Sequence, residues 1–129
     1  MTMALRSAGI QASDIGYLNA HASSTGLNDP TETLAIKTAF GPAARRLPIS
    51  GTKGYYGHAL GASGAFEAAI CCLVTSRQWI PPTVNLTVAD PACDLDYTPG
   101  TGREADPEFI MSNSFGFGGI NAALVFQRA

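Results

Sequence analysis

Two histidines, His21 and His58, are the only imidazoles in this 129-residue chain, and each stands at the border of an apolar stretch. Imidazole titrates near neutral pH and can donate, accept or ligate, so proton transfer, hydrogen bonding and metal binding are all open to these two residues. Taken alone, a histidine that ends a strand is more often a satisfied structural residue. The two lie in separate loops with no ligand-spacing motif around them, so no metal site is expected. Lys53 and Glu67 make a second pair. Glu67 interrupts an otherwise apolar run, where burial would penalise it unless it were paired, and Lys53, the only lysine besides Lys37, is the obvious partner. Cys71, Cys72 and Cys93 are the available thiols. The first two fall in the apolar run and the third in a Pro/Asp-rich connection, settings of structural cysteines, and none is nominated as a nucleophile. No Gly-Lys-Ser or Gly-Lys-Thr ending offers a phosphate loop.

The elements that must position these residues alternate between helix and strand. Met3, Ala4, Leu5 and Ala8 have helical spacing and end at Gly9, a left-handed terminator, with no capping residue in front of them. Residues 15–20, Ile-Gly-Tyr-Leu-Asn-Ala, read as a buried strand that delivers His21 at its carboxyl end. A polar loop follows to Pro30. Asp29 as N-cap, Pro30 at the first helical position and Glu32 at N3 then predict a capping-box start to a helix carrying Leu34, Ile36 and Phe40. Residues 47–50 are a second short strand, and 51–58 are a loop with Gly and Tyr. From Ala59 to about Arg77 runs an apolar helix with Gly61, Ala62, Gly64, Ala65, Ala68 and Ala69 on several faces. Glycine inside a helix costs up to about 1 kcal/mol relative to alanine, so close approach by neighbours on more than one side is expected. Such a helix belongs in the middle of a layered structure. The Pro-rich segment from 81 to 107 predicts an irregular connection with brief strands at 83–86 and 95–97. Residues 109–113 and 122–126 read as strands flanking a Gly-rich turn. The whole predicts an α/β layered domain occupying residues 1–129.

Bulk properties narrow the partners. With 46% hydrophobic and 14% charged residues the chain suits a packed core. Eight basic residues against ten acidic ones provide no stripe for a phosphate backbone, so nucleic acid is not expected. The apolar stretch from Ala59 to Val74 is interrupted by Glu67 and is shorter than the roughly 18 residues of a membrane span. An odd number of cysteines and no secretory-looking start suggest a reducing compartment, the cytoplasm.

Three motifs in order resemble one family. Residues 19–25, Asn-Ala-His-Ala-Ser-Ser-Thr, resemble the first histidine segment of the β-ketoacyl-acyl carrier protein synthases. Thr52-Lys53 with residues 57–65, Gly-His-Ala-Leu-Gly-Ala-Ser-Gly-Ala, resemble the second. Residues 112–121, Ser-Asn-Ser-Phe-Gly-Phe-Gly-Gly-Ile-Asn, look like the phenylalanine gating loop. The resemblance implies the thiolase-like layered fold, of which this would be the carboxy-terminal half, with a mixed sheet and a buried Gly/Ala-rich central helix.

It also implies a transferase chemistry of fatty-acid or polyketide biosynthesis: decarboxylative Claisen condensation of a malonyl thioester with an acyl thioester. His21 and His58 would be oxyanion-hole donors, with Lys53 held beside them by Glu67. Ser23 and Thr25 would bind the phosphopantetheine arm, although such hydroxyls also bond local backbone. Phe115, Gly116, Phe117 and Gly118 would form the gate. The substrate would be a phosphopantetheine thioester on acyl carrier protein, with no tightly bound cofactor. The expected partners are acyl carrier protein, the amino-terminal half and, for the full-length enzyme, a second copy.

Departures accompany the match. Ala22 stands at a usual glycine, Ser23 at a usual threonine and Gly26 at a common proline. The family's nucleophilic cysteine, in a Thr-Ala-Cys-like segment of the amino-terminal half, has no counterpart here. The expectation is a fragment, inactive alone. The alternative is a non-catalytic chain-length-type partner or acyl-binding scaffold. A coenzyme A thiolase is disfavoured by Ala59 in place of proline and by the absence of a late cysteine in the Gly-rich loop.

Overall fold

The computed structural model describes all 129 residues. Its centre is a four-stranded sheet ordered β2-β1-β5-β6, where β1 is Ile15–Asn19, β2 Ile49–Ser50, β5 Phe109–Phe115 and β6 Asn121–Gln127. β1 runs parallel to both β2 and β5, and β6 returns antiparallel along β5. The helices are α1 (Thr2–Ala8), α2 (Asn28–Phe40), the single turn α3 (Lys53–Tyr56) and α4 (Ser63–Arg77). A two-stranded ribbon pairs β3 (Trp79–Ile80) with β4 (Arg103–Glu104).

Alternation along the strands divides the core. Leu18 and Met111 face one side, where Leu5 of α1 and Ile36 and Phe40 of α2 join them. Tyr17 and Ile110 face the other and meet Cys71 and Val74 of α4 and Ile80 of β3. The mixed α/β layering read from the sequence is therefore the observed one. The shift of register between Ile15 and Tyr17 lets both Ile15 and Leu18 reach the same side of the sheet.

Several local expectations change. α1 ends as read, with Gly9 at φ 70°. The capping box of α2 does not form: the helix starts at Asn28, whose N–H donates to Thr25 Oγ1 at 3.1 Å, and the Glu32 carboxylate turns to the preceding loop. Residues 51–58 contain the helical turn α3. The strands expected at 83–86 and 95–97 reduce to one isolated bridge between Thr83 and Pro99 and a single bond from Ile49 N–H to Asp96 O. Pro81, Pro82, Pro91 and Pro99 withhold ladder donors there. The ribbon strand β3 follows directly where the sequence read only a helix stop. Gly102 makes it possible, since a Cβ there would lie 2.4 Å from Ile80 O.

α4 also differs from the all-round burial expected of it. Ser63, Glu67, Cys71 and Val74 form one buried stripe at helical spacing, while Phe66, Cys72 and Leu73 are exposed. Only one face of the helix meets this chain's own sheet. No helix is long and apolar enough to cross a membrane.

Candidate active site

Parallel strands open at their carboxyl ends, and ligand sites of open α/β sheets form there. The register places Asn19 beside both Ser50 and Ser112, so β1 and β2 finish level with one another while β5 continues three residues further, to Phe115. The segments that leave β1 and β2 carry His21 and Lys53, and Phe115 is the last residue of β5. Topology thus assembles residues that are far apart in sequence.

His21 is held by its backbone. Its N–H and that of Ala22 each donate to Glu32, at 2.9 Å in both cases, and its carbonyl accepts from Lys53 Nζ at 2.5 Å. Lys53 also forms a buried ion pair with Glu67, whose other oxygen accepts from the Ser114 hydroxyl at 3.2 Å. Both carboxylate oxygens of Glu67 therefore have donors. The charged pair binds α4 to the loop that carries the first histidine, as the sequence had paired them.

The two imidazoles meet edge to face, with ring centroids 5.5 Å apart, and the Phe115 ring lies 5.6 Å from that of His21. His58 is exposed in this chain, and its Nδ1 accepts the Leu60 N–H at 3.1 Å with the Ser63 hydroxyl at 3.2 Å. An Nδ1 that accepts a backbone N–H leaves the proton of the neutral ring on Nε2. Leu60 adopts φ 49° to aim that N–H. Burial, then the Lys53 charge, then His58 depress the His21 imidazole to about 4. Its Nδ1 is buried without a hydrogen bond to the chain, and the Asp29 charge, the smallest of the contributions, favours the charged ring too little to offset the rest. The setting of His21 favours its neutral ring, and that of His58 directs Nε2 away from the Leu60 N–H.

Linkage gives this depression a sign. Between pH 6.5 and about 4 the unfolded chain takes up a proton that folded His21 refuses, so stability falls as pH falls through that window. Glu32, raised by burial, works in the opposite direction. The expected result is that the parent loses more stability than a His21→Gln variant between pH 6.5 and 4, measured as urea midpoints. Parallel curves would contradict the depression.

Ser23 and Thr25 are near each other, with hydroxyls 3.2 Å apart, but Thr25 Oγ1 also accepts from Asn28 N–H at the start of α2. Phe115 at the end of β5 lies against His21, while Phe117 in the turn between β5 and β6 is 98% exposed. Gly118 and Gly119 supply φ of 79° and 82°, and Gly116 N–H donates to Ile120 O at 2.7 Å. The cysteines remain as read in one respect: burial pushes the Cys71 thiol up to about 12, and burial also raises Cys93. Cys72 departs from its expected burial, because it lies on the outer face of α4.

Glu32 is the site residue that sequence reasoning assigned elsewhere. Its spacing held the signal, since Glu32, Ile36 and Phe40 recur every four residues on the buried face of α2. A carboxylate at such a place needs donors from outside its helix, and the His21 loop supplies them.

This layered sheet is the fold of the thiolase-like ketosynthases. A ketosynthase bound to a hexaketide and in complex with a type II polyketide synthase acyl carrier protein superposes with TM-score 0.95 at 40% identity, covering 98% of this chain and 31% of that one. A β-ketoacyl synthase from Burkholderia phymatum gives 0.94 at 47% identity, covering 100% and 31%. Residues 1–87 match the family described as beta-ketoacyl synthase, C-terminal domain. The 3-oxoacyl-acyl-carrier-protein synthase 2 of Coxiella burnetii is 48% identical over 99% of this chain. The chain belongs to the β-ketoacyl synthase family and spans 31% of the length of that curated relative.

Proposed function

We propose that this chain supplies the oxyanion-stabilising half of a β-ketoacyl-acyl carrier protein synthase site that catalyses decarboxylative condensation of a malonyl thioester with an acyl thioester. The observation that carries the reading is the pair of imidazoles 5.5 Å apart, His21 held neutral by burial and the Lys53 charge and His58 with its Nδ1 taken by the Leu60 N–H. Loss of carbon dioxide from a malonyl thioester leaves an enolate, whose negative oxygen needs N–H donors. Imidazolium would bring a charge that a buried site disfavours, whereas neutral imidazole can donate without it. Lys53 holds the His21 carbonyl and acts through position and charge. Phe115, Gly116, Phe117 and Gly118 gate the acyl pocket, and Ser23 and Thr25 contact the phosphopantetheine arm.

The nucleophilic cysteine is contributed by an amino-terminal region, and residues 1–129 are the carboxy-terminal part of the site. Acyl carrier protein delivers the substrate, as one related ketosynthase has such a carrier in complex with it. No resident cofactor is required by this chemistry, and the work is done in the cytoplasm by a homodimer of the full-length enzyme. The test is malonyl-carrier decarboxylation by this chain alone and mixed with an amino-terminal half that supplies the cysteine. Activity only in the mixture supports the reading. An associated, folded mixture without activity overturns it.

A further inference from the structure

Ala22 and Gly51 occupy each other's expected places. Ala22 adopts φ 41°, in the left-handed region that favours glycine, yet it carries a methyl. Gly51 has no such φ, so its backbone does not call for glycine. Space does: a Cβ built on Gly51 would lie 2.6 Å from Ala22 Cβ. The methyl missing from one segment is present on the other.

The location of this contact gives it a use. Ala20 N–H donates to Ser50 O at 3.0 Å, and beyond that bond the segments following β1 and β2 diverge, one bearing His21 and the other Lys53. Each is braced from behind. Ala22 N–H is fixed by Glu32, and Gly51 N–H donates at 3.0 Å to Thr83 Oγ1, which itself donates to Tyr97 O at 2.6 Å. The Ala22 methyl stands between these two braced segments.

We infer that Ala22, packed on the bare α-carbon of Gly51, is a positioning residue that sets the separation at which Lys53 meets the His21 carbonyl and thereby fixes the first imidazole. The proposal deepens the reading of His21 as an oxyanion donor and rests on it for its catalytic meaning. The contact itself is tested without catalysis. Stored backbone strain at Ala22 is kept because the methyl maintains the spacing beyond the last ladder bond.

The test uses the 129-residue chain, with His21 followed by NMR titration and stability by thermal denaturation. The charges that bear on His21 are Lys53, His58 and Asp29, and none is altered. Gly51→Ala is expected to lower the melting temperature and to move the His21 titration from about 4 toward 6.5. Ala22→Gly relieves strain, so the melting temperature is expected to hold or rise while the titration still moves upward. The double variant carries the methyl on the opposite segment and is expected to recover both the parent titration and its melting temperature.

A parent-like His21 titration in Ala22→Gly would overturn the proposal, as would a double variant no better than Gly51→Ala. If Gly51→Ala does not fold, Ala22→Gly carries the test by itself, because it only removes atoms. Failure of decarboxylation in the mixed halves with an intact coupling here would count against the proposed function and leave the positioning pair standing.

Discussion

His58→Ala is expected to lower malonyl-carrier decarboxylation in the assembled enzyme by about 10²–10³-fold, the usual effect of removing one oxyanion donor. The expectation rests on a ring whose role is set by what it does not bury. His58 is exposed in this chain, and its Nδ1 is occupied by the Leu60 N–H and the Ser63 hydroxyl. Its Nε2–H is the donor left to face substrate. Removing the ring should therefore leave the urea midpoint of the chain within about 0.5 kcal/mol of the parent, as at other exposed positions, while turnover collapses. Carbon dioxide release under single-turnover conditions measures the effect directly. A decrease of less than tenfold would move the oxyanion role elsewhere. His21→Ala should match it in rate and, being buried, should also lose stability.

The second large effect concerns Lys53 and Glu67. Glu67 is fully buried and Lys53 nearly so, at 0% and 7% exposure. Replacing one member strands the other, a loss of about 3–5 kcal/mol when a buried pair is broken from one side. Lys53→Met and Glu67→Leu are each expected to show it in urea denaturation of the chain. The double variant should recover much of the loss, because two apolar side chains of similar bulk need no partners. Recovery of stability should not bring back the His21 arrangement, since the Lys53 bond to the His21 carbonyl is gone. A double variant as unstable as the worse single would mean that the pair contributes packing and not charge compensation.

Much of the site was legible because its parts announce themselves locally. His21 follows a run of apolar residues at strand spacing, and Glu67 is conspicuous as the sole acid in a long apolar helix. The strand-turn-strand unit from Phe109 to Gln127 declares itself by glycines between two apolar runs, with Gly118 and Gly119 in the conformation such a turn needs. What could not be read was the use of residues whose partners are remote. Glu32 has the sequence context of a capping residue, and only the position of the His21 loop redirects it. The Trp79–Ile80 ribbon depends on Gly102, over twenty residues away, and no periodicity of two residues can reveal that. α4 has the composition of a helix packed all round, yet a single buried stripe is what this chain's own sheet requires of it.

The strand order has a kinetic consequence. β1 lies between β2 and β5, and its pairing of Ile15 with Phe109 spans nearly the whole chain. During synthesis the first histidine loop emerges early, but β1 has no neighbour on that side until the final hairpin has left the ribosome. A high contact order of this kind slows folding, because loop closure precedes the contacts that stabilise it. Glu32 can take the His21 and Ala22 N–H groups early, but its further bond from Asn113 in β5, at 3.4 Å, waits for that strand. The site thus closes from two sides at different times: Glu32, β2 and Lys53 can hold the His21 loop as soon as they are made, and the β5 side is added last.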